Sequence, residues 1–199
     1  MAMHHVEVPD VTIGHSAIWS TDGKVLVFGH EPGGGTNPRC TATGTVVGTQ
    51  GGQPLIQTDD MKSYFFFDGE TAELLGKFVL PRNQTLQENC TIHNYNMVPL
   101  KKKNGKPRYV LVAGNYQSGI SVVDFSDPAN AKEIAYADPP PLVPEFDGGD
   151  WSTYWYNGRI YQSDIARGLV IWRIDDPAVA TFLRTPYSNP QTQEYLIDR

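Results

Sequence analysis

Residues 88–123 decide the fold, because an aromatic-rich strand and two apolar strands follow one another there. The stretch reads Glu88-Asn-Cys-Thr-Ile-His-Asn-Tyr-Asn-Met-Val-Pro99 and, after a basic turn, Tyr109-Val-Leu-Val-Ala-Gly-Asn-Tyr-Gln-Ser-Gly-Ile-Ser-Val-Val123. Runs of β-branched and aromatic residues bounded by Gly, Asn and Pro are typical of strands joined by tight turns. The stretch therefore predicts a β-meander.

The same unit occurs three times along the chain. Each copy opens with a polar residue on a short first strand, namely His15, His93 or Asp150, and continues through two more strands separated by glycine turns. In the first copy the third strand contains Tyr64-Phe-Phe-Phe67, which predicts a strand buried on both faces. Self-similarity with strands inside the period is typical of β-propeller blades.

We therefore predict an all-β chain, built as one propeller-type domain over residues 1–199. The repeat units span about 11–82, 88–138 and 148–187. Closed propellers contain about four to eight blades, so about three to four four-stranded blades make a partial or half propeller. Such a chain is a fragment of a longer protein or half of a ring that a second copy completes as a homodimer.

Three stretches interrupt the repeats. Residues 29–40 carry a glycine triplet and two prolines, which predicts a loop, and 50–54 is predicted to be a second loop after a short strand at 41–48. Residues 138–144 contain four prolines, which cannot donate to a sheet, so a stiff connector is expected before the third unit.

Charge and hydropathy exclude two classes of partner. The formal net charge is −6, and the basic residues between 101 and 108 sit in one predicted turn, as is typical of a solvated loop. We therefore expect no nucleic-acid partner. No apolar run reaches the roughly 18 residues of a membrane helix, so no membrane span is expected.

The chain has two cysteines, Cys40 and Cys90. A disulfide between them would close a loop of about fifty residues; the alternative is two unrelated buried thiols. We predict the disulfide, which requires an oxidising, secreted or cell-surface location. The sequence shows no leader of its own, so export would require one that has been removed.

Several of these motifs together resemble the LVIVD-repeat proteins. The similarity covers most of residues 11–180 and is most specific in Cys90-Thr-Ile-His-Asn-Tyr-Asn96 and Gly119-Ile-Ser-Val-Val-Asp124. The resemblance implies an exported β-propeller with further repeats before the first one here. It implies no particular ligand.

The repeat alignment suggests a metal site. The first strand of a blade lines the central channel, so His15, His93 and Asp150 are expected to converge there. Two imidazoles and a carboxylate are suitable ligands for a divalent ion, with calcium, zinc and manganese as candidates. Alternatively, these residues hydrogen-bond neighbouring strands and channel water.

A ligand site is a separate expectation. His30 and Glu31, on the glycine-rich loop, and Trp151, facing the channel, are candidate contacts, although a solvated loop pair is the alternative for the first two. An ion is expected at the three channel residues rather than at His30 or Glu31. The leading functional hypothesis is a binding or scaffold module for a small molecule or a protein. The alternative is a metal-dependent hydrolase or lactonase-like enzyme, in which the metal activates water. No catalytic residue is assigned, and whether the chain is an enzyme stays open.

Overall fold

The computed structural model describes residues 3–141 and 148–191, and this part of the chain is all-β. The strands are β1 (Gly14–Trp19), β2 (Val25–His30), β3 (Arg39–Thr41), β4 (Gly44–Gln50), β5 (Gln53–Gln57), β6 (Ser63–Asp68), β7 (Leu74–Val79), β8 (Cys90–Val98), β9 (Val110–Tyr116), β10 (Ile120–Asp124), β11 (Lys132–Ala137), β12 (Asp150–Tyr156), β13 (Arg159–Asp164) and β14 (Gly168–Trp172).

Helical structure in the described residues is confined to three short 3-10 turns, at Pro32–Gly35, Asp59–Lys62 and Pro128–Asn130. None of these helical segments has the length and apolar character needed to cross a membrane. The proline-rich connector predicted at 138–144 is irregular as far as residue 141, and its remaining residues lie outside the described ranges.

The first repeat unit forms a four-stranded antiparallel sheet in the order β1-β2-β6-β7. Ile18, Val27 and Phe66 are paired across this sheet and point into the core. The prediction that β6 is buried on both faces is confirmed, because the side chains from Tyr64 to Phe67 are all buried.

A separate three-stranded sheet, β3-β4-β5, is inserted between β2 and β6. The prediction of a loop over 50–54 is therefore wrong: Gln50 ends β4, and Gln53 begins β5. Only Gly51 and Gly52 form the turn, and their φ values are 59° and 78°. A two-residue hairpin turn of type I′ requires positive φ at both of its central residues.

The second and third units belong to one seven-stranded sheet. Strands β8 to β11 form a four-stranded meander, and β12 to β14 form a three-stranded one. The two meanders are joined through a single residue pair, Asp150 with Tyr116.

The second unit is the central layer, since both of its faces are buried. Leu111 and Ala113 pack in a core shared with the first unit, while Val110 and Val112 pack in a second core with Trp155 of the third unit. A valine or leucine buried in this way contributes about 1.5–3 kcal/mol.

This layering brings the first strands of the three units side by side. The Ser16 hydroxyl of β1 donates to the carbonyl of His93 in β8 at 3.1 Å. The Asn94 amide of β8 donates to the carbonyl of Trp151 in β12, also at 3.1 Å. Residues near the starts of β1, β8 and β12 therefore meet.

Candidate metal centre

Irregularities in the three first strands determine which side chains meet. His15 is the extra residue of a bulge in β1, between the paired residues Gly14 and Ser16. His93 lies in a longer irregularity of β8, between Cys90 and Asn94. In β12 the extra residue is Trp151, between Asp150 and Ser152. A bulge re-aims its side chain, so the equivalent positions are His15, His93 and Trp151.

The ring of His93 contacts the rings of both His15 and Trp151. The ring centroids of His15 and His93 are 4.4 Å apart. The centroid of the Trp151 ring lies 4.9 Å from that of His93, with the planes inclined at 60°. The structure thus brings together two of the three predicted metal ligands, and it places a tryptophan where the repeat alignment had an aspartate.

Asp150 is not part of this cluster. Its side chain is fully buried, accepts a hydrogen bond from the Thr153 hydroxyl, and lies against Gly114, where an added Cβ would be 2.7 Å from Oδ1. Burial raises the pKa of the Asp150 carboxyl to about 8, although the Thr153 bond acts in the opposite direction. The register explains the difference, because shifting a strand by one residue reverses the direction of every side chain.

The carboxylate beside the two histidines comes from Glu31. Its Oε1 lies 3.1 Å from Nε2 of His93, and its Oε2 lies 3.8 Å from Nε2 of His15. One ligand atom from each of these three residues lies within 4.8 Å of the other two. The carboxylate expected from Asp150 is thus supplied by Glu31, at which no ion was expected.

His30, the other loop residue predicted to bind a ligand, points elsewhere. Its Nε2 lies 2.7 Å from the backbone oxygen of Asp60, and its ring is buried against Phe65 at a centroid distance of 6.1 Å. Burial lowers the pKa of His30.

The loop that carries Glu31 is attached to β8 at its far end. Cys40 and Cys90 form the predicted disulfide, with a Cα–Cα distance of 5.5 Å. The Cys90 N–H donates to the Pro38 carbonyl at 2.8 Å, and the Asn89 side chain donates to the Gly35 carbonyl at 2.7 Å. The disulfide thus supports the placement of Glu31 next to His93.

Tyr116 orients the Glu31 carboxylate. Its hydroxyl donates to Oε1 of Glu31, and its ring lies 4.8 Å from that of His93. The ring passes so close to Gly35 that a Cβ there would overlap the hydroxyl oxygen. Tyr116 itself has a φ of 53°. Such a value is unusual for a bulky residue, and here it falls in the tight turn between β9 and β10, where the Gly119 N–H donates to the Tyr116 carbonyl.

His93 presents an unprotonated nitrogen to this carboxylate. Its Nδ1 donates to the Trp151 carbonyl at 2.7 Å. In the neutral ring the lone pair is therefore on Nε2. Burial lowers the pKa of His93, and the neighbouring His15 lowers it further, while the Trp151 bond and Glu31 act in the opposite direction. Although Nε2 lies 3.1 Å from Glu31, it has no aligned hydrogen-bond partner among the described residues.

The cluster is open on one side. The His93 side chain is 1% exposed and that of Glu31 is 14% exposed, whereas that of His15 is 28% exposed. Trp151, beside them, is 47% exposed. A small molecule can therefore approach over His15 and Trp151.

Sequence reasoning missed Glu31 as a partner of the histidines and missed Tyr116 altogether. The available signal was the pair of residues Cys40 and Cys90, since a disulfide between them returns the glycine-rich loop to the strand that carries His93. Comparison with known proteins adds no assignment, because neither a family model nor a curated protein matches this sequence.

Proposed function

We propose that this chain is a metal-binding module in which His15, Glu31 and His93 hold one divalent transition-metal ion. The observation that carries the proposal is the approach of three ligand atoms to within 4.8 Å of one another. Metal–ligand bonds of about 2.0–2.1 Å separate neighbouring ligand atoms by about 3.0–3.4 Å. The 3.1 Å between His93 and Glu31 meets this requirement. The more exposed His15 lies 3.8 Å from Glu31, within a group whose ligand atoms are up to 4.8 Å apart, so its ring has to move closer to the other two ligands when an ion binds.

The donor set favours some ions over others. Calcium prefers six to eight oxygen ligands, whereas imidazole suits zinc and other first-row transition metals. Two imidazoles and one carboxylate therefore favour zinc, then manganese, over calcium. The bonds from His93 to Trp151 and from Tyr116 to Glu31 are outer-shell contacts of the kind that orient metal ligands.

The module is an exported, propeller-type protein of the LVIVD-repeat kind. The buried disulfide supports export, because cysteines pair stably in oxidising compartments. The packing of antiparallel units face to face, with their first strands adjacent, supports the propeller assignment. Three units are too few to close a ring, so further repeats or a second copy of the chain complete it. Light scattering on the purified chain distinguishes these cases, since completion by a second copy requires a dimer.

Metal titration tests the proposal directly. Protein stripped with a chelator should bind one zinc ion per chain in a calorimetric titration. Loss of an outer-shell partner alone costs about 10- to 100-fold in affinity, so His15→Ala and Glu31→Gln should each cost more than that. The matched controls are His5→Ala and Glu70→Gln, which alter exposed residues outside the cluster. Zinc binding that is absent, or that His15→Ala and Glu31→Gln leave intact, would rule the proposal out.

A second candidate function is metal-dependent hydrolysis. Two histidines and one glutamate are a ligand set found in hydrolytic zinc sites, where a water molecule occupies the open position. Zinc-loaded protein should then hydrolyse a simple aryl ester or lactone, and Glu31→Gln should abolish the activity. If hydrolysis by the loaded protein does not exceed that by the stripped protein, the binding-module function stands alone.

A further inference from the structure

The ring of Trp151 forms the exposed border of the proposed metal site. The residue is 47% exposed, yet it is held in place. Its ring makes T-shaped contacts with His93 at 4.9 Å and with Tyr116 at 5.7 Å, with interplanar angles of 60° and 79°. Its carbonyl accepts hydrogen bonds from His93 and Asn94. Trp151 therefore presents a flat apolar surface that contacts the site and remains accessible to solvent.

The position of the Trp151 ring relative to the ion indicates what kind of molecule could bind both. His93 lies between His15 and Trp151, with the two ring centroids at 4.4 and 4.9 Å from its own. His93 and Glu31 are largely buried, so a molecule that reaches the ion from solvent passes over His15 or Trp151. Such a molecule can bind the metal through one end and cover the indole ring with the other.

The net charge of the metal centre further limits the chemical class of the ligand. Two neutral imidazoles and one carboxylate around a divalent ion leave a net charge of +1 at the centre. An anionic oxygen donor neutralises this charge, whereas a cationic ligand would be repelled.

Building on the proposed function, we propose that the site binds small aromatic anions, whose oxygen donors occupy the open metal positions while the aromatic ring stacks on Trp151. Offset stacking between aromatic rings contributes about 0.5–1.5 kcal/mol beyond the burial of apolar area. An aromatic body should therefore improve affinity by about tenfold over an aliphatic ligand with the same donor group.

Two hydroxamates provide matched probes, because benzohydroxamate and acetohydroxamate carry the same chelating group. Zinc-loaded protein should bind benzohydroxamate about tenfold more tightly in calorimetric titrations, with quenching of tryptophan fluorescence. The variant Trp151→Ala keeps the backbone carbonyl that orients His93, so it should retain zinc and bind both probes with similar affinity. The control is Trp19→Ala, which removes a tryptophan of similar exposure, 50%, and should leave the preference for benzohydroxamate unchanged.

The outcomes separate this inference from the proposed function. Equal affinity of the loaded protein for the two probes, or a preference that persists in Trp151→Ala, overturns the inference and leaves the metal site intact. Failure of the wild-type protein to bind zinc rules out both the metal site and the binding of aromatic anions to it. Loss of zinc in Trp151→Ala would show that the ring itself maintains the site, and Trp151→Phe, which keeps an aromatic ring, should then restore both zinc and the preference.

Discussion

Replacing Asp150 by Asn should remove a pH-dependent cost to folding. The carboxyl is fully buried against Gly114, and its Oδ1 has no hydrogen-bond partner among the described residues. Burial raises the pKa of Asp150 from 3.8 to about 8. The folded protein therefore holds this group protonated at neutral pH, when the unfolded chain has released the proton.

The magnitude follows from proton linkage. Between pH 3.8 and about 8 the folded state binds one more proton at Asp150 than the unfolded state does. The stabilising contribution of the bound proton is complete below pH 3.8 and is lost as the pH rises towards 8. Over this range the free energy of unfolding falls by about 1.4 kcal/mol per pH unit. Asn cannot ionise, so Asp150→Asn should gain about 3 kcal/mol relative to wild type between about pH 5 and 7.

Urea denaturation of both proteins at several pH values measures this difference. The control is Asp175→Asn, whose wild-type side chain is 74% exposed, and it should follow the wild-type curve. If the free energies of unfolding of Asp150→Asn and wild type differ by a constant amount from about pH 5 to 7, the pKa of Asp150 is not raised in the folded protein. Zinc affinity should be unchanged in Asp150→Asn, because this residue lies outside the cluster of His15, Glu31 and His93.

Three further predictions concern the contacts that hold Glu31 in place. Gly35→Ala should weaken zinc binding, because the added Cβ would displace the Tyr116 ring. The control is Gly34→Ala: Gly34 also has a positive φ, but an added Cβ there would have no neighbour within 4 Å, so zinc binding should not change. Equal zinc affinities of the two variants in calorimetric titration would contradict this prediction. Tyr116→Phe should lower zinc affinity by about 10- to 100-fold in the same titration, since it removes an outer-shell hydrogen bond, and an unchanged affinity would leave the Tyr116 hydroxyl without a role. Replacing both Cys40 and Cys90 by Ala should lower the free energy of unfolding by about 4 kcal/mol, which urea denaturation would detect, and should also reduce zinc affinity. Unfolding at the wild-type urea concentration would argue against the loop-closure contribution of the disulfide.

Much of the fold follows from local sequence pattern. The apolar runs at β9 and β10, the aromatic run at β6 and the glycine turns between them predict strands at the observed places, because these features depend on neighbouring residues alone. The disulfide was predictable for a different reason: the chain has two cysteines, so only one pairing is possible. A short strand was predicted at 41–48, where β4 begins, but β3 and β5 were missed because they are short and adjoin glycines that are typical of loops.

The site was predictable only in part. His15 and His93 could be paired from the repeat alignment, because each occupies the start of a first strand. Asp150 was aligned with them instead of Trp151, because a bulge adds one residue to a strand and leaves no clear mark in the sequence.

Sequence pattern was therefore sufficient to predict the all-β class, the meanders, the disulfide and the pairing of the two histidines. Three features required the three-dimensional structure: Glu31 is the partner of the histidines, Trp151 takes the place expected for Asp150, and Asp150 is buried. The physical reason is that strand formation depends on residues close in the chain, whereas a site depends on side-chain direction. Direction changes with every bulge, and Glu31 lies beside His93 because the Tyr116 hydroxyl binds its carboxylate and because the disulfide and the hydrogen bonds of Asn89 and Cys90 attach its loop to β8.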